Sequence, residues 1–157
     1  MLKSRAIIAF VATTDQQRAK AFYAGTLGLR LLNEDGFALA FEAGGTMLRV
    51  TTVHALQPAP YTVLGWTVPD IRTAVRGLTA RQVRFQRYDG MGQDEDGIWT
   101  SPSGAKVAWF RDPDGNTLSV TELESPPARP KRAAAKMPKT VRRARRRRPR
   151  KTSRRSS

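Results

Sequence analysis

The run Ala6-Ile-Ile-Ala-Phe-Val-Ala12 is apolar and strand-like, and the period changes after Asp15, where Ala19, Phe22, Tyr23 and Leu27 recur at helical spacing. A looser copy begins at Tyr61: YTVLGWTVP closes at Asp70, and Ile71, Ala74, Val75 and Leu78 then form one helical face. Asp15 and Asp70 lie about 55 residues apart, a spacing that suits one supersecondary unit repeated twice. A short carboxylate at each position accepts from the free N–H groups of a first helical turn, so both are predicted N-caps. Gly28 falls where a left-handed residue would end the first helix.

Three strand candidates follow each helix. In the first copy they are 29–33, 37–42 and 47–53, parted by Asp35-Gly36 and Gly44-Gly45. In the second they are 83–88, 98–101 with 105–111, and 117–123, with a longer loop at 89–97 and turns at Pro102-Ser-Gly104 and Asp112–Asn116. The result is βαβββ written twice, an α+β class with a mixed, largely antiparallel sheet and helices on one face.

These residues carry a resemblance. The paired βαβββ pattern, the Phe22-Tyr23…Leu27-Gly28-Leu29 segment and Asp112-Pro-Asp-Gly-Asn116 closely resemble the vicinal oxygen chelate superfamily of glyoxalases, extradiol dioxygenases and bleomycin-resistance proteins, over about residues 5 to 124. The resemblance implies a curled sheet with a central cup, metal ligands on inward-facing strand positions in the enzymes, and frequent homodimers. Matched residue by residue, the implied ligand positions fall at Ile8, Arg49, Val63 and Ser119, a set that cannot hold a divalent ion. No Cys and a single His, His54, leave little for a zinc or iron site. An all-oxygen site from Glu42, Glu122 or Glu124 is the remaining metal option. No cofactor is expected.

Within such a cup, strand alternation makes Phe10, Arg49, Trp66, Trp99 and Trp109 the candidate ligand-binding residues, with Tyr88, Met91 and His54 near the rim. Aromatic walls suit a flat, partly apolar small molecule, and Arg49 offers a fork for carboxylate or phosphate. Read without the cup, the aromatics are core, Arg49 pairs with a cross-strand acid and His54 is a solvated surface imidazole. The cluster Asp94-Glu95-Asp96 reads as a lid toward a cationic ligand or as a solvated loop tip.

Charge divides the chain. Residues 1–125 hold 13 Lys or Arg and 13 Asp or Glu, whereas 126–157 hold 15 Lys or Arg and no acid, so the tail accounts for the whole net charge of +15. The first part is predicted to be one folded domain; the tail, too poor in apolar side chains to bury a core, is predicted to be disordered. Arg142, Arg143, Arg145, Arg146, Arg147, Arg148, Arg150 and Lys151 are its candidate nucleic-acid contacts, acting through counterion release without reading sequence. A charged tail with no selected partner, and one that meets a membrane surface or an acidic protein, stay open beside that reading. No apolar stretch reaches the ~18 residues of a membrane span, nothing resembles a signal peptide, and the lack of Cys suits a reducing cytoplasm.

Two functions survive. One is a metal-free protein that binds or sequesters a small molecule; the other is a metal-dependent enzyme of the lactoylglutathione lyase or extradiol dioxygenase type.

Overall fold

Asp15 and Asp70 both cap helices. Each has extended backbone (φ −146° and −144°), and their carboxylates accept the N–H of Arg18 and Thr73, each at 3.0 Å. The computed structural model describes residues 1–124; the disorder and polyanion readings of the tail lie outside the described residues.

In chain order the elements are β1 (Ile8–Thr13), α1 (Gln16–Lys20), which continues as a π-helical turn Ala21–Thr26, β2 (Arg30–Glu34), β3 (Ala38–Ala43) and β4 (Thr46–Thr52), then β5 (Thr62–Thr67), α2 (Ile71–Ala80), β6 (Trp99–Thr100), β7 (Lys106–Arg111) and β8 (Thr117–Glu122). The π turn carries i→i−5 bonding, with Leu27 N–H donating to the Phe22 carbonyl at 2.9 Å. Gly28 ends it at φ 74°, the left-handed conformation expected there. The 83–88 segment is a departure: it forms one isolated bridge, Phe85 with Phe110, not a strand. The Gln93 side chain holds this stretch instead, accepting from Tyr88 N–H at 2.7 Å and donating to the Gln86 and Gly97 carbonyls.

Two four-stranded mixed sheets result, ordered β1-β4-β3-β2 and β5-β8-β7-β6, and their edge strands β1 and β5 lie against each other. In each, the first strand runs parallel to the fourth and the other pairs are antiparallel. One face of each sheet carries a helix. Val11, Leu39, Phe41, Leu48 and Val50 from the first module join Tyr23, Ile71, Val75, Phe110, Leu118 and Val120 in a single buried cluster, each large side chain worth about 1.5–3 kcal/mol of burial. Among the described residues no helix is long and apolar enough to cross a membrane.

Polar bonds at the β7–β8 turn tie the modules together. Thr13 donates to Asp114 Oδ2 at 2.6 Å, while Thr14 N–H, Thr14 Oγ1 and Arg18 all reach Asp114 Oδ1. Asn116 Nδ2 donates to the Ala12 carbonyl at 2.8 Å. Buried Asp112 accepts the Tyr23 hydroxyl, the Asn116 amide and the backbone N–H groups of Asp114 and Asn116, so both carboxylate oxygens are satisfied without a cation. Burial first, and then the neighbouring Asp112 charge, push the Tyr23 phenol far above its ordinary pKa, so it stays a donor.

Candidate functional site

The faces without helices are where a ligand could reach the sheets. In the first sheet the register puts Phe10 beside Arg49 and Arg49 beside Ala40, and the neighbouring row joins Ile8, Met47 and Glu42. Phe10 is 62% and Ile8 51% exposed, which excludes them from the core and leaves an open apolar surface. Among the described residues Arg49 has no hydrogen-bond or ion-pair partner, so no cross-strand acid claims it. Its charge is felt by Asp35, whose carboxyl is held below the usual range by backbone bonds from Phe37 and Ala38 and then by Arg49.

The second sheet supplies an aromatic wall. Trp99 pairs with Val107, two residues from Trp109, so both indoles stand on one face, with ring centroids 6.0 Å apart. Tyr88 meets Trp109 edge-on at 5.7 Å and 82°. The Trp109 Nε1–H donates to Thr62 Oγ1 at 3.0 Å, which fixes the indole's orientation. Beside it opens a pocket of about 230 Å³ lined by Tyr61, Thr62, Tyr88, Met91, Trp109 and Thr117. That is below the usual span of small-molecule sites and fits a small flat group. Tyr88 and Met91 line this pocket with Trp109. His54 is exposed and does not line this pocket.

Trp66 does not belong to this wall. It registers with Val120, its ring is stacked 6.5 Å from Phe110, and it lines a crevice of about 370 Å³ against α2 with Leu27, Leu29, Ala74 and Leu78. The cause is parity. Phe10 lies five residues before its cap, Asp15, but Trp66 lies four before Asp70, which makes it the counterpart of buried Val11. The counterpart of Phe10 is Gly65, over which Ser119 packs so closely that an added Cβ would meet Ser119 Oγ at 2.6 Å. Counting back from the caps would have sorted these positions; Tyr61, Thr62 and Thr117 carry no such signal.

The acidic residues are spent elsewhere. Arg72 pairs with Asp94 at 2.7 Å and Asp96 at 2.9 Å, and Arg87 donates to the Asp94 and Glu95 carbonyls, so the loop is clamped to α2 and to its own neighbour and is not a lid. Glu122 accepts the Ile71 N–H and the Lys106 ammonium, and these two contacts hold its carboxyl below the ordinary range. Glu42 bonds Gly45 N–H in the β3–β4 turn, and Glu124 lies against Gly104. The three glutamates therefore do not converge. Among the described residues no three His, Cys, Asp or Glu side chains come together as a metal site. Ile8, Arg49, Val63 and Ser119, where the resemblance would place ligands, offer two hydrocarbons, a cation and a buried hydroxyl, with Val63 at a register irregularity. These residues do not fit a divalent ion.

The chain matches the model of the Glyoxalase/Bleomycin resistance protein/Dioxygenase superfamily over residues 6–120. Among solved structures it is similar to a glyoxalase family protein from Enterococcus faecalis (19% identity, TM-score 0.63, covering 78% of this chain and 100% of that one). It is also similar to a lactoylglutathione lyase from Agrobacterium tumefaciens (22%, 0.56, 76% and 95%) and a superfamily member from Sphaerobacter thermophilus (24%, 0.58, 75% and 98%). At these identities the likeness concerns the fold. No curated protein matches the chain.

Proposed function

The chain belongs to the Glyoxalase/Bleomycin resistance protein/Dioxygenase superfamily, and from that premise we propose that it binds or sequesters a small molecule on the helix-free faces without a metal. The observation that carries the reading is the Trp99–Trp109–Tyr88 wall in one module, together with an Arg49 in the other that no described residue pairs. Neighbouring indoles hold a flat, partly apolar body by area and quadrupole, and a guanidinium fork selects carboxylate or phosphate. Phe10 extends the apolar surface beside Arg49. A metal-dependent lyase or dioxygenase reading lacks a donor set at the positions where the family would hold the ion.

The basic tail is proposed to add non-specific affinity for polyanions, and the open apolar surface of Ile8, Phe10 and Met47 is compatible with the homodimer implied by the resemblance. Two measurements test the ligand reading. After metal supplementation, mass spectrometry of the purified protein should find less than about 0.1 equivalent of any transition metal; near one equivalent overturns it. Aromatic carboxylates and phosphates should quench tryptophan emission saturably in the native chain. Failure of the whole panel, or unchanged quenching in a Trp99→Phe/Trp109→Phe variant, overturns the assignment of the wall.

A further inference from the structure

A third cavity, also of about 370 Å³, lies where Phe22 and Thr26 of the first module meet the second, and its polar lining is Thr26, Arg81, Gln82, Arg84, Gln86 and Arg111. Three arginines line it, and no acidic residue does. Arg81 is partly engaged, donating to the Thr26 carbonyl at 3.0 Å. Arg84 and Arg111 form no side-chain hydrogen bond or ion pair among the described residues. Glu95 and Asp96 border a separate depression that Arg84 also touches, but Asp96 is paired there with Arg72 and Arg76.

The backbone forces the two arginines together. Phe85 bridges Phe110 antiparallel and Gln86 N–H donates to the Trp109 carbonyl at 2.7 Å, which sets Arg84 opposite Arg111. Like charges directly opposite on paired strands repel, and a bound anion removes that repulsion. A second, independent feature lies beside them. Gln82 is the only non-glycine among the described residues with positive φ, at 67°, and occupies the position just past α2 that the first module gives to Gly28. A left-handed glutamine is strained where glycine would not be, yet this residue lines the cavity.

We infer that this cavity is a binding site for a small phosphate-bearing anion, with Arg81, Arg84 and Arg111 supplying charge and Gln82 and Gln86 supplying amide donors. Guanidinium forks match phosphate oxygens bidentately, and three of them around one cavity suit a dianion or a diphosphate. This site is separate from the one proposed above and stands or falls without it.

The test is thermal unfolding of the full chain with inorganic pyrophosphate at fixed ionic strength. The native chain should gain roughly 4 °C or more at saturation, an Arg84→Ala/Arg111→Ala variant should bind at least about tenfold more weakly, and an Arg146→Ala/Arg147→Ala tail variant should respond like the native chain. Gln82→Gly separates strain from binding: it should melt higher without ligand and bind pyrophosphate more weakly. Equal shifts in the native chain and the Arg84/Arg111 variant, loss of the shift in the tail variant alone, or protection by an oligonucleotide but not by pyrophosphate would each overturn the assignment.

Discussion

The Tyr23 hydroxyl donates to Asp112 Oδ2 at 2.8 Å, a buried bond between residues of different modules. It links the aromatic side chain at the centre of the first helix to the turn that closes the second module, and it adjoins the Thr13, Thr14 and Arg18 contacts to Asp114.

Tyr23→Phe keeps the ring and removes one donor from an anionic acceptor, so it should cost about 1–3 kcal/mol in urea unfolding. Asp112→Ala orphans four donors at once and should cost more. A double-mutant cycle should show coupling between the two positions, and additivity would mean that the bond contributes nothing of its own.

Trp66 and Trp109 should separate stability from binding. Trp66→Ala empties a half-buried place against Phe110 and α2 and should destabilise by about 2–3 kcal/mol, somewhat below the loss for a fully buried indole. Trp109→Ala should weaken ligand binding, as should Arg49→Ala, whose melting temperature should stay near the native value because Arg49 makes no hydrogen bond or ion pair among the described residues. A large loss of stability in Arg49→Ala would mark that guanidinium as structural.

Acid should unfold the domain from the intermodule side. Burial tends to raise the Asp114 carboxyl, but bonds from Thr13 and Thr14 and the charge of Arg18 outweigh it and hold the folded value below the ordinary one. A depressed folded value gives stability that is complete above the unfolded pKa and disappears as pH falls through the folded one, so the loss should begin near pH 4 and grow below it. Asp70, Asp94 and Glu122 are lowered too and add to the slope. Asp114→Asn should flatten the pH dependence of the melting temperature; an unchanged slope would remove Asp114 from the account.

Truncation after residue 125 should abolish retention on DNA-cellulose at modest salt. Native affinity should fall by about three to five orders of magnitude between low and moderately raised salt if six to ten charges meet phosphates. Retention of the truncated chain would assign the binding to the domain instead.

Much of the fold was legible because it is written locally. Asp15, Asp70 and Gly28 each perform the backbone task that their residue types suggest, and the repeat spacing, the hairpin turns and the paired modules follow from period and punctuation. The 83–88 strand was not legible in this way, since its alternation is satisfied by a single bridge while Gln93, a loop side chain, takes over its backbone groups. The placement of the candidate residues was half legible. Phe10, Arg49, Trp99 and Trp109 reach helix-free faces by parity, whereas Trp66 required counting from a cap. The Asp112–Asn116 turn announced a hairpin but not its seat on Thr13, Thr14 and Tyr23, because contacts a hundred residues apart leave no local trace.

That seat also gives the repeat a direction. The second module's turn brings Asp112, Asp114 and Asn116 to the start of the first helix, whereas the first module's equivalent turn is Gly44-Gly45, which has no side chain to offer in return. At the start of α2 the place is taken by Glu122 of its own module. A duplicated unit whose docking were reciprocal could be copied again into a longer array. Here the polar docking runs one way, from the second module's turn to the first helix.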